Sequence, residues 1–174
     1  MQTRPSTPRR DRLTAYDIAC GSSINAAFAW FQGMDPVPSG AEVFALLSHR
    51  MTGGEDDGSH NPLLAEGAGW AGYVGTKGER TVFASLVDGC RAAALCLQFR
   101  EYQSVQIAYR ARDAGRLAAA IETSALGSQT TLTGFAAEVD ELVVTGPARD
   151  LASSRHSILW RIGGWGRKRS SARV

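Results

Sequence analysis

A chain of 174 residues with 44% hydrophobic content can bury one sizeable core, and a second independent domain would not fit. The formal net charge of +2 hides a segregation: residues 1–12 carry +3, residues 155–174 carry +6, and the body between them is left with −7. Three cysteines, Cys20, Cys90 and Cys96, are too few and too oddly spaced for a disulfide framework or a structural zinc site.

Taken in order, residues 1–12 hold two prolines and four arginines with almost no apolar content, the composition of a disordered basic leader. They lack the apolar stretch of a secretory signal, and no run along the chain approaches the ~20 apolar residues of a membrane span. The expectation is a protein made in a host cytoplasm without that export route. Ile24, Ala27, Phe28 and Phe31 recur at helical spacing, predicting a helix over residues 23–32, with Thr14 as the earliest start. Ser39-Gly40-Ala41-Glu42 reads as a capping box opening a second helix, which buries Val43, Phe44, Leu46, Leu47 and Met51 and stops at Gly53-Gly54.

Glu55 then falls just past the C-terminal end of that helix. The helix dipole is negative there, so a partly dry carboxyl at this place would have a raised pKa, as a general acid requires. The run Glu55-Asp56-Asp57-Gly58-Ser59 lacks the alternating ligands and closing Glu of a calcium loop, and His49, His60 and His156 are scattered, so no metal site is expected. No P-loop ending or nucleophile elbow is present either, and no cofactor is called for.

Residues 61–82 are rich in glycine and contain Trp70 and Tyr73, predicting a long loop or a short irregular hairpin; the two aromatics are candidate sugar-stacking platforms, with packing of Trp70 on the domain an equal alternative. Phe83-Ala84-Ser85 leads into a long helix reaching about residue 101, whose Leu86, Cys90, Ala93, Ala94 and Leu97 share a face and mark it as the central core helix. Cys90 and Cys96 read as small core residues. Ser104 and Asp113 are candidate caps of two further helices, the first with Val105 and Ala108, the second with Leu117, Ala118 and Ile121 and an end at Gly127. A last helix over residues 133–142 packs Phe135, Ala136 and Val139. Residues 13–146 thus form one mainly α domain. Residues 147–174 form a basic tail in which Ile158, Trp160 and Ile162 alternate ahead of Trp165 and Arg167-Lys168-Arg169, a pattern open to a short strand or to peripheral contact with a membrane surface.

Several of these features together resemble the lysozyme-like muralytic domains of actinobacterial phages: a helix followed by Glu55, Asn61-Pro62-Leu63 six residues on, the glycine-rich stretch, Phe83-Ala84-Ser85 with Gly89 opening the next helix, Tyr102, and the helix after Arg112-Asp113. The resemblance covers residues 28–142. It implies a mainly α, lysozyme-like helical domain and a peptidoglycan glycosidase, a muramidase or a lytic transglycosylase, with Glu55 protonating the glycosidic oxygen. Asp56 or Asp57 would activate water, Asn61 would orient substrate through its amide, and Trp70 and Tyr73 would line subsites. In the family the glycine pair follows the Glu, whereas here Gly53-Gly54 precede it and two aspartates follow. That departure equally suits a non-catalytic virion or host-interaction protein that keeps the fold as a cell-wall binding module. The implied partners are peptidoglycan or another anionic wall polymer, which the basic ends would attract, and phage structural proteins. The acidic body disfavours nucleic acid. The implied location is the virion or the cell wall.

Overall fold

The computed structural model describes residues 13–129 and 132–145, so the basic leader, residues 130–131 and the Trp-containing tail lie outside the described residues. Seven helices and one hairpin make up that region: α1 (Ala15–Gln32), α2 (Gly40–Thr52), β1 (Tyr73–Lys77), β2 (Arg80–Phe83), α3 (Leu86–Cys96), α4 (Gln103–Arg110), α5 (Ala114–Glu122), α6 (Ala125–Gln129) and α7 (Phe135–Thr145). The protein is mainly α, as the sequence predicts, and the glycine-rich stretch combines the two forms left open for it, an irregular loop over residues 61–72 and a small antiparallel hairpin from Tyr73.

α1 begins well before the apolar periodicity does. Thr14 and Asp17 form a reciprocal capping box at its start, and Gly33, at φ 65°, closes its end in the left-handed region that glycine adopts freely. The buried face carries Cys20, Ile24 and Phe28, with Gly21 between them. A Cβ at Gly21 would sit 2.2 Å from the Ala41 carbonyl oxygen, so glycine there lets α1 and α2 approach almost backbone to backbone.

The α1–α2 pair is the centre of the molecule, and this corrects the expectation that α3 would be. α3 packs along one side of α1, whereas α5 and α7 pack on each other and on α2. Phe28, Phe44 and Tyr109 meet in the core, with Phe28 edge-on to both rings at 5.9 and 4.6 Å. The Tyr109 hydroxyl donates to Asn25 Oδ1 at 2.6 Å and accepts from the Val37 amide at 3.2 Å, which ties α4 to α1 and to the turn ahead of α2.

That turn departs from the sequence reading. Ser39 lies at φ 58° and makes no side-chain cap, so the capping box does not form. The turn is closed instead by Gly40 N donating to Val37 O and by Asn25 Nδ2 donating to the same oxygen. Three other boundaries also move. α3 stops at Cys96, not near residue 101, because the chain is extended at Phe99 and turns through a short 3-10 segment, Arg100–Tyr102; Gln106 Nε2 donates to the freed carbonyls of Leu97 and Phe99. α4 starts at Gln103 without a side-chain cap, so Ser104 is not one. α5 ends at Glu122, and Gly127 sits inside α6, where a Cβ would fall 2.2 Å from Glu122 O. Asp113 does cap α5, accepting from Arg116 N at 2.9 Å.

The hairpin pairs Tyr73 with Phe83 and Lys77 with Arg80, with a bulge between Tyr73 and Gly75. Ser85 caps α3 directly after it, accepting from Asp88 N. Gly89, one turn in, meets the preceding loop so closely that a Cβ would lie 1.6 Å from His60 O. Residues 53–60 are therefore held between the end of α2 and the start of α3.

Candidate functional site

The segment that bears the three candidate carboxylates is fixed from below by a buried polar cluster. Asp17, fully buried, accepts hydrogen bonds through Oδ2 from Thr14 N at 2.8 Å and Thr14 Oγ1 at 3.0 Å, and lies 2.9 Å from His49 Nδ1. Thr14 Oγ1 also lies 2.7 Å from Gly54 O. A Cβ at Gly54 would come within 2.9 Å of His49 Nδ1 and 3.1 Å of Asp17 Oδ2, and its φ of 85° independently requires glycine. The pair Gly53-Gly54 thus does two separate things: the first glycine caps α2, and the second seats the chain on the Asp17–His49 pair. Sequence reasoning missed this cluster. The Thr14-x-x-Asp17 spacing is the one signal that could have found its first half; nothing local ties His49 to Asp17, 32 residues away.

Glu55 follows directly and is exposed. Among the described residues it makes no hydrogen bond and no ion pair, and the partly dry surroundings envisaged for a general acid are absent. Asp56 is engaged within its own turn: Oδ1 accepts from Gly58 N and His60 N, both at 3.0 Å, and Oδ2 lies 2.5 Å from His60 Nδ1. Asp57 faces the hairpin. Its Oδ1 accepts from Ser59 N at 3.0 Å and its Oδ2 pairs with Lys77 Nζ at 3.0 Å, while the same ammonium also donates to the Asp57 carbonyl at 2.9 Å. The Ser59 hydrogen bonds, and after them the Lys77 ammonium, hold the Asp57 carboxyl at about 2, well below the usual carboxylate range. Asp57 is therefore a paired anion, and Asp56 is a turn-forming one.

Asn61 is buried and faces inward, not toward a substrate. Its Nδ2 donates to Ala65 O at 2.8 Å and Thr81 O at 3.0 Å, and its Oδ1 accepts from Ala65 N at 2.8 Å. The amide spans the base of the glycine-rich loop and joins it to β2. That is a structural task, and it leaves the amide no free donor to orient a ligand.

Trp70 is half-buried, its indole Nε1 donating to Glu66 O at 3.0 Å and its ring 6.1 Å from that of Phe99. It lines a shallow groove of about 70 Å³ with Phe31, Asp88, Arg91 and Leu95. Trp30, 70% exposed, stands 5.1 Å from Phe31 beside it. Phe31 and Trp70 thus line the groove, with Trp30 beside the first ring and Phe99 beside the second. None of Glu55, Asp56 or Asp57 lines this groove, and neither does Tyr73, which is exposed on β1. The sequence-derived site residues are therefore scattered: the three carboxylates lie on the turn after α2, Asn61 is buried beneath the glycine-rich loop, Trp70 lines the groove and Tyr73 is exposed on β1, while the carboxylate that does line the groove, Asp88, accepts from Ser85 Oγ at 2.7 Å.

Among the described residues no group of three His, Cys, Asp or Glu side chains is placed to hold a metal ion, and no helix is long and apolar enough to cross a membrane. No protein-family model, no curated protein and no solved structure matches this chain.

Proposed function

We propose that this chain is a non-catalytic cell-wall binding module, a virion or host-interaction protein with a lysozyme-like helical fold that holds peptidoglycan or a related anionic wall polymer. The observation that carries the reading is the groove lined by Phe31, Trp70 and Arg91, with the exposed rings of Trp30 beside Phe31 and of Phe99 beside Trp70. Flat apolar faces next to a cation suit sugar rings that carry carboxylates. The state of the carboxylates supports the same reading: two are engaged within their own turn and with the hairpin, and the third is exposed to solvent. A glycosidase needs a proton donor and a second carboxyl across a bound sugar.

One observation favours a second reading, a muramidase or lytic transglycosylase. Glu55 is the single free carboxylate of the three, it follows a helix end and precedes a hairpin, and it grows from a glycine pinned on the Asp17–His49 pair. Incubating the full chain and its Glu55→Gln variant with actinobacterial cell walls, and assaying released reducing ends and anhydro-muropeptides, separates the two. The binding reading expects neither product from either protein. Release by the wild type that Glu55→Gln abolishes would replace it with the enzymatic one.

A further inference from the structure

The groove lined by Phe31 and Trp70 carries two opposite charges on one helix face. Asp88, Arg91, Ala92 and Leu95 recur on α3 at helical spacing and line it together, so its formal charge is −1 + 1 = 0. The two charges do not pair with each other, and among the described residues the exposed Arg91 has no acceptor. Asp88 is the fixed member. Its Oδ2 accepts from Ser85 Oγ at 2.7 Å, and its amide donates to the same hydroxyl at 3.2 Å. Gly72 presses on it from the hairpin side: a Cβ there would lie 2.5 Å from Asp88 Cβ and 3.0 Å from Oδ2, and Gly72 O accepts from Ala84 N at 2.8 Å. Asp88 Oδ1 has no hydrogen-bond partner among the described residues and is not one of their fully buried polar atoms, so solvent reaches it.

Taking the wall-binding reading as its premise, we propose that this groove is a subsite for one uronic-acid residue of a wall glycan, with Arg91 pairing with the ring carboxylate and Asp88 Oδ1 accepting from a ring hydroxyl. Phe31 and Trp70 supply apolar surface for the C–H face of the sugar. The groove, at about 70 Å³, admits the edge of one ring. Residues three apart on a helix have Cβ atoms about 5–6 Å apart, so the groups that meet Asp88 and Arg91 belong on the same ring. A monovalent carboxylate needs one guanidinium, which takes it in a bidentate fork. A hydroxyl is a neutral donor, which the Asp88 carboxylate accepts without repulsion. Polymers linked through phosphate fit poorly, because they carry a charge at every repeat: once one phosphate meets Arg91, the next meets Asp88. Asp88 is therefore a specificity-determining residue, and the groove's zero net charge is what favours sugar acids over phosphate chains.

Calorimetric titration of the full chain with three soluble polymers tests this: an oligosaccharide alternating glucuronic acid and N-acetylglucosamine, a neutral N-acetylglucosamine oligosaccharide of the same length, and poly(glycerol phosphate). The wild type is expected to bind the carboxylated oligosaccharide about tenfold more tightly than the neutral one, and poly(glycerol phosphate) least of the three. Arg91→Gln should bring the two oligosaccharides to equal affinity. Asp88→Asn keeps an oxygen for Ser85 Oγ, so α3 starts as before. It should weaken both oligosaccharides and strengthen poly(glycerol phosphate), because the groove then carries +1. A merely structural role for Asp88 would weaken all three. That result, or a carboxylate preference that survives Arg91→Gln, would overturn the proposal. So would failure of the wild type to bind either oligosaccharide. If Trp70-dependent pelleting with cell walls persists in that case, the wall-binding reading stands without the subsite; if pelleting is lost too, both fall.

Discussion

Asp17 shows how much one buried carboxylate can organise. It receives the backbone and side chain of Thr14 from its own helix and His49 from the next, and Thr14 and His49 in turn flank Gly54. Asp17→Ala leaves these donors without their acceptor, and urea unfolding should show a loss of roughly 2–4 kcal/mol, at the lower end because His49 keeps some access to water. Asp57 makes a smaller, pH-dependent contribution. Its folded pKa lies near 2, below the ordinary value of 3.8, so its stabilisation is fully present above about pH 4 and is lost as pH falls through 2. The group is nearly half exposed, so salt screens much of the effect. In Lys77→Ala, carboxyl carbon NMR should find the Asp57 midpoint moved upward, though still below the ordinary value because the Ser59 hydrogen bonds remain. An unmoved midpoint would remove Lys77 as a cause. Sequence reasoning gave Glu55 the proton donor's role and left Asp56 and Asp57 interchangeable as activators of water. The structure separates them through partners that no local pattern reveals, Lys77 lying 20 residues downstream of Asp57.

At the scale of elements, the apolar periodicities located nearly every helix, since burial of a face at 3.6-residue spacing is a local signal. Caps were legible only where the backbone ahead of the helix is extended. Asp113 has such a backbone and accepts the expected amide, as does Ser85, which was not singled out as a cap in the sequence, whereas Ser39 has the same chemistry at a left-handed φ and makes no cap bond. The contrast gives a prediction of opposite sign from ordinary capping. Ser39→Gly should stabilise the protein by roughly 0.5–1 kcal/mol in urea unfolding, because glycine relieves the positive φ and no cap bond is lost. Destabilisation would mean that the Ser39 hydroxyl has a partner. The ends of α3 and α5 were misplaced for a related reason: Gln106 and the close approach of Gly127 to Glu122 act through the folded chain and not through local propensity.

Across the whole molecule, one arrangement explains where the surface can act. α1 and α2 pack through Gly21, α3 lies against α1, and the hairpin is tied down by Asn61 and Thr81, so the ends of α1 and α3 bring Phe31 and Leu95 to one groove. Phe31 was read in sequence as part of a helix and Trp70 as part of a loop; their meeting is a tertiary fact that neither period contains. The groove, and not the carboxylate turn, is where this account places ligand contact. The most direct test is co-sedimentation of the full chain with actinobacterial cell walls, comparing wild type with Trp70→Ala and Glu55→Gln. The account predicts that the wild type and Glu55→Gln pellet alike while Trp70→Ala binds about fivefold or more weakly. Equal pelleting of all three proteins, or a loss confined to Glu55→Gln, would contradict it.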